Sequence, residues 1–214
     1  MAHIKLNNEQ LPGIVGLLDY SPATARPLLD LANALLKDDS SLTRTEREII
    51  AASVSYRNDC HFCHTSHAAA AVANAGADIS MIDDIKLGLV ETKVSDKLRA
   101  LLSIAYHVQQ GGKHVTPEDV WLARENGATD REIHDTVLIA AAFCMYNRYV
   151  DGLGTWAPKE NEAYLEMGRN IAEHGYGHSV RKAEEERASR AEEDRARQSE
   201  EDRTRRAEEN SIPA

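Results

Sequence analysis

Three helix-start signatures, each a threonine with an acid three residues on, punctuate the middle of this chain: Thr43 with Glu46, Thr116 with Asp119, and Thr129 with Glu132. In this pattern the hydroxyl and the carboxylate satisfy backbone N–H groups that a helix leaves open in its first turn. Pro117 reinforces the second start, because the first helical position has no N–H bond to lose. Apolar residues follow at helical spacing: Ile49, Ile50 and Val54 after the first start, and Val137 to Val150 after the third. Ser95 opens another stretch through Leu98, Leu101, Leu102 and Ala105, which Gly111-Gly112 stops. Asn58-Asp59 reads as the cap of a helix that starts at two cysteines, runs through Ala68 to Ala73 and ends at Gly76. Two further helices are expected over Ala23 to Leu36 and Asn161 to Glu173. Pro27 is tolerable in the former only near its first turn. No segment alternates with period two, so the expectation is an all-α fold.

Two regions of different composition are expected: a helical domain over 1–178 and a charged, low-complexity extension over 179–214. From Arg181 to Glu209 the chain holds nine Lys/Arg and eleven Asp/Glu and almost no large apolar residue. An eight-residue repeat runs through it, with Glu-Glu-Glu-Arg at 184–187 and Glu-Glu-Asp-Arg at 192–195 and 200–203. Without an apolar seam this is no coiled coil but a solvated, partly helical segment. The 42% hydrophobic content is enough for a core in the rest. A net charge of −10 argues against nucleic acid as a partner. No apolar run approaches the roughly 18 residues of a membrane span, and Met1 to Gln10 is polar, so a cytoplasmic location is expected.

In a reducing compartment, two cysteines three apart point to redox chemistry or a metal rather than a structural staple. The cluster Cys60-His61-Phe62-Cys63-His64, followed by His67, is the densest group of reactive side chains in the sequence. At about 100° per residue, Cys60, Cys63, His64 and His67 share roughly a 100° arc of one helix face. A helix start would favour the Cys60 thiolate. An imidazole one turn on can exchange protons, with Glu48 of the preceding helix behind it. Zinc held by Cys60, Cys63, His67 and Glu48 is one alternative, although ligands so dense on one turn strain a tetrahedron. Cys60 to His64 also spells the attachment signature of c-type haem, which is normally loaded outside the cytoplasm. Cys144 reads as a core residue, and Trp121 and Trp156 as packing residues. Thr45-Glu-Arg-Glu48-Ile49 echoes as Thr129-Asp-Arg-Glu132-Ile133, and both glutamates precede a cysteine by twelve. The echo suggests a duplicated helical unit with its chemistry kept in one half.

A glutamate, eleven residues, Cys-x-x-Cys, and a histidine four past the second cysteine form a motif that Glu48, Cys60, Cys63 and His67 match. With Pro12-Gly-Ile-Val-Gly-Leu-Leu, Arg47-Glu-Ile-Ile-Ala-Ala and Tyr146-Asn-Arg-Tyr-Val-Asp-Gly, the chain resembles the carboxymuconolactone decarboxylase-like superfamily over about Leu11 to Gly175. The likeness is to its alkyl hydroperoxidase D-like, peroxidase-related branch. Well-known members carry a histidine where this chain has Phe62, which removes one member of their proton relay.

The resemblance implies an alkyl hydroperoxidase D-like helical fold and a homo-oligomer, trimer or hexamer. It implies an antioxidant thiol peroxidase that reduces a hydroperoxide and is recycled by a dithiol reductant, with no cofactor and no metal. Cys63 would attack, Cys60 would close the disulfide, and Glu48 and His67 would relay the proton, with His64 as a possible accessory. The helix-start argument instead favours Cys60 as the more acidic thiol. Two other functions stay open: a lyase acting on a small lactone acid, and a non-catalytic zinc or interaction module.

Overall fold

A computed structural model describes residues 2–76, 84, 93–160, 162–178 and part of 180–198. The chain divides into two units, Met1–His178 and Ser179–Ala214. In the first unit the described regular elements are α1 (Gly13–Tyr20), α2 (Pro22–Leu36), α3 (Arg44–Arg57), α4 (His61–Ala75), α5 (Asp96–Gln110), α6 (Pro117–Glu125), α7 (Asp130–Gly152) and α8 (Glu162–His174), with one 3-10 turn at Gly112–His114. The fold is all-α, with no strand among the described residues. In the second unit the described residues are largely helical, and the repeat units from Ser199 onward lie outside them. No helix among the described residues is long and apolar enough to cross a membrane.

The helix starts follow the local chemistry. Thr43, Thr116 and Thr129 each accept from the backbone N–H three residues on, and Glu46, Asp119 and Glu132 return the bond. Ser95 caps α5 by accepting from Leu98 N. Each such cap is worth about 1 kcal/mol. Gly76, at φ +63°, closes α4 in the left-handed conformation that glycine adopts without strain. Two expectations change. Pro27 is the sixth residue of α2, beyond the first turn, where it cannot donate to the Ala23 carbonyl. Asn58-Asp59 does not cap α4: Asn58 ends α3, Asp59 turns the chain at φ +59°, and Cys60 itself is the N-cap.

The core centres on the hairpin of α3 and α4, joined by only three residues. Ile49, Ile50, Ala51, Ala52 and Val54 of α3 are buried, as are Ala68 to Ala71 of α4. Four consecutive alanines make α4 thin on every side, so α3 and α8 both pack closely against it. α8 crosses α4 at Gly168, where an added Cβ would lie 2.6 Å from the Ala69 carbonyl. α7 packs on α3 and α5 and brings its C-terminal half toward the α3–α4 turn. Cys144, expected in the core, is half-buried on α7, and Trp121 and Trp156 are exposed.

The sequence echo falls at different helical positions in its two copies. Glu132 is the third residue of α7 and belongs to its cap, whereas Glu48 is the fifth residue of α3 and faces inward. Burial pushes the Glu132 carboxyl up, but the Lys97 ammonium at 2.8 Å and the Thr129 cap outweigh it and hold it below the ordinary range. Cys144 lies inside a continuous helix, whereas Cys60 follows a chain turn.

The Gly168 crossing gives a direct test. Gly168→Ala should cost about 1–3 kcal/mol, because the backbone of Ala69 has nowhere to yield. Urea unfolding of the variant beside the wild type measures the loss, and an unchanged midpoint would contradict the close crossing.

Candidate functional site

The site is built from the α3–α4 hairpin, the end of α7 and the segment after α8. Ser55 closes the turn by accepting from Cys60 N at 3.0 Å. Asn147 of α7 latches the same turn from outside: its amide donates to Ser55 Oγ at 3.0 Å, and its oxygen accepts from Asn58 at 2.8 Å. Asn147 is 1% exposed, so these bonds are made away from water.

The latch fixes Cys60 between two elements. Its side chain comes within 3.3 Å of Cys63, without a covalent bond between them. Both cysteines are buried. The helix-start argument for an acidic Cys60 is overturned. A hydrogen bond to Cys63 pushes the Cys60 thiol well above its ordinary value, and burial and the nearby Asp151 carboxyl push it further. Asp151, one turn beyond Asn147 on α7, accepts from the Cys60 thiol; burial pushes the Asp151 carboxyl up and this bond pulls it down. Tyr164 of α8 stands near both sulfurs and donates to the Pro158 carbonyl at 2.9 Å. Burial, and then the two sulfurs, push its phenol up, so it forms a neutral wall.

Glu48 is 1% exposed, and its Oε2 accepts from His67 Nδ1 at 2.8 Å. Phe143 meets the His67 ring edge-on, with centroids 4.5 Å apart. With Nδ1 engaged, Nε2 is the nitrogen left for proton exchange. Sequence spacing placed this pair on adjacent helices, and the α3–α4 packing brings the two side chains into contact. Tyr176 joins them from the far end of the first unit: its hydroxyl donates to Glu48 Oε1 at 2.6 Å and lies 3.2 Å from His67 Nδ1. Its ring stacks on that of His67. Sequence reading missed Tyr176 and Asp151, since no spacing rule links positions so far apart in the chain. Only the Val-Asp-Gly at 150–152, noted as part of a family-like stretch, drew notice to the second.

The remaining residues of the cysteine cluster serve the packing. His64 is buried, with Nδ1 at 3.0 Å from the Ala52 carbonyl and its ring against Tyr56. It therefore bonds to the backbone of α3, whereas His67 is the histidine that meets Glu48. His61 is exposed and reaches the Pro158 carbonyl at 3.1 Å. Phe62 fills the space beside Tyr164 and over Gly13, where an added Cβ would lie 2.2 Å from its ring. A histidine there would enter this apolar pocket between α1 and α8. Among the described residues no three His, Cys, Asp or Glu side chains converge on a point that could hold a metal ion, so the zinc alternative finds no ligand set.

Residues 22–105 match the profile of the carboxymuconolactone decarboxylase family. No curated protein matches the chain. Among solved structures, the alkylhydroperoxidase AhpD core of an uncharacterized peroxidase-related protein from Ralstonia eutropha JMP134 superposes with a TM-score of 0.68 at 22% identity; the match covers 78% of this chain and 96% of that one. An uncharacterized peroxidase-related protein from Silicibacter sp. TM1040 gives 0.65 at 23% identity, covering 74% of this chain and 81% of the other. A protein of unknown function from Agrobacterium tumefaciens gives 0.59 at 20%, covering 69% and 99%. The profile match is confined to residues 22–105. The architecture is similar to that of the AhpD-like helical core.

The elevated Cys60 thiol has a thermodynamic consequence. A group whose proton is held more tightly in the folded state stabilises the fold fully below its unfolded value, and that contribution fades as pH rises. An unfolded cysteine ionises near ~8.5 and tyrosines near ~10, so Cys60 dominates between them. The reduced protein should lose up to about 1.4 kcal/mol per pH unit in that window. Urea midpoints at several pH values, compared with those of Cys60→Ser, check this; the variant should show the flatter profile.

Proposed function

We propose that the chain is a thiol peroxidase that reduces a hydroperoxide through Cys60 and Cys63 and is returned to the dithiol by an external dithiol. The observation that carries this reading is the approach of Cys60 and Cys63 to 3.3 Å beside a buried Glu48–His67 pair. Few structural roles call for two close thiols and a proton relay in one place.

The chemistry divides between the sulfurs. Cys60 is kept as a thiol by its bond to Cys63, which leaves Cys63 as the nucleophile. His67, one turn further along α4, takes the Cys63 proton on Nε2 while Glu48 stabilises the charged ring. The thiolate attacks the terminal peroxide oxygen, an S–O bond forms and the O–O bond breaks. The proton returns from His67 to the departing alkoxide. Sulfur has given two electrons, and the products are an alcohol and a sulfenic acid on Cys63. Cys60 then attacks that sulfur and releases its proton through Asp151. The hydroxide that leaves takes the proton and departs as water, and the disulfide remains. An external dithiol restores both thiols by exchange and leaves oxidised itself.

This relay does without a histidine at position 62, because His67 is already held by Glu48. Exposed Leu138 and Met145, seven residues apart on α7, together with exposed Trp121 and Leu122 on α6, are apolar surface that a homo-oligomer would cover.

Peroxide consumption with a small dithiol donor tests the reading. Cys63→Ser should abolish turnover, and His67→Ala should lower it by about 10²–10⁴-fold. Equal rates for the wild type and Cys63→Ser would remove the proposal. Turnover of a lactone acid that survives loss of both cysteines would replace it with a lyase.

A further inference from the structure

Tyr176 lies outside every motif that singled out the cysteine pair, yet it is built into the relay with care. Its hydroxyl reaches Glu48 Oε1 at 2.6 Å, so together with His67 it gives the buried carboxylate one donor on each oxygen. The backbone on which it rides is pinned in turn. Asn33 of α2 accepts from Tyr176 N at 2.9 Å and donates to Tyr176 O at 3.2 Å. Gly175 permits this approach: at φ +73°, an added Cβ there would meet Asn33 Oδ1 at 2.7 Å. A side chain that only filled space would need neither the two-sided backbone clamp nor a bond this short.

We propose that Tyr176 is a positioning residue of the relay, holding Glu48 ionised and aimed at His67 so that Nε2 stays open toward the sulfurs. This deepens the peroxidase reading and rests on it for its functional consequence. A carboxylate taken out of water is costly unless donors replace the lost hydration, and a donor on the second oxygen is the missing half of that replacement. With Glu48 charged, His67 keeps its proton on Nδ1 and presents a lone pair at Nε2. Tyr176 cannot itself be the base: burial first, and the adjacent Glu48 next, push its phenol far above neutrality, so it only donates. Arg47, beside Glu48 on its own helix, donates through its guanidinium to the Leu35 carbonyl of α2, and Tyr146 of α7, near Tyr176, donates through its hydroxyl to Leu28 O. Each of these has a backbone partner elsewhere. Tyr176 and His67 are the side chains bonded to the carboxylate itself.

The experiment compares the full-length wild type with Tyr176→Phe by two readouts. The first is the pH dependence of peroxide turnover. Loss of one charge-assisted bond should lower kcat about tenfold near neutrality and move the acidic limb up by about one pH unit, because a carboxylate with one donor missing takes up a proton more readily. KM for the dithiol should not change, whereas a purely structural defect would lower the amount of active enzyme without moving the limb. The second readout is ¹⁵N NMR of the His67 ring, which needs no activity. The wild type should show a single neutral tautomer with its proton on Nδ1, and the variant a mixture. Tyr176→3-fluorotyrosine keeps the ring and the hydroxyl, and should return both readouts toward the wild type if the phenylalanine variant folds poorly. Should the wild type consume no peroxide, the peroxidase reading falls, and the His67 spectrum alone decides the role of Tyr176. An unchanged His67 spectrum in Tyr176→Phe would overturn the inference, as would an unmoved acidic limb.

Discussion

A carboxylate at 1% exposure, hydrogen-bonded across two helices to an imidazole, is the contact around which this molecule is arranged. Glu48 cannot be buried alone, because an unpaired buried charge costs several kcal/mol. Its partner must come from a helix close enough to reach it, and the α3–α4 hairpin provides one because the alanines of α4 let α3 approach. The same thinness admits α8 through Gly168, and α8 carries the chain back so that the following turn reaches the site. The polar centre and the small-residue packing are therefore one design. The first needs two close helices, and the second makes them close.

The two sulfurs are held by a different set of contacts. Cys60 is fixed by the turn between α3 and α4, and that turn is fixed by Asn147 from α7. Cys63 rides on the first turn of α4, so the separation of the pair is set by the N-cap geometry rather than by helix pitch alone. The bond to Cys63 and burial raise the Cys60 thiol, the opposite of what a helix-dipole argument alone expects. The dipole effect is worth only about 0.3–1 kcal/mol at an exposed terminus, and here a direct sulfur contact and desolvation oppose it.

What the sequence made legible was what is decided locally. The threonine caps of α3, α6 and α7, the Ser95 start and the Gly76 stop each depend on residues within four positions of one another. The Glu48–His67 pair was legible because adjacent helices in a hairpin must pack. Pro27 lies just past the first turn of α2 and leaves that helix one backbone bond short. Cys60 was placed inside a helix rather than at its cap, since Asn58 and Asp59 look like better caps, but Asn58 is drawn to Asn147 and Gln109 instead. Tyr176 and Asp151 were beyond reach for the same physical reason. They meet the site through helix–helix packing over long sequence separations, and nothing in their immediate neighbours announces it.

The proposed peroxidase function requires that these two sulfurs exchange between dithiol and disulfide when a peroxide is present. Mass spectrometry of the full-length protein before and after one equivalent of hydroperoxide, followed by mapping of the peptide that holds both cysteines, addresses it most directly. This peptide should lose two hydrogens and regain them on treatment with a dithiol, while Cys144 stays unchanged. A peptide that keeps both thiols, or oxidation confined to Cys144, would contradict it.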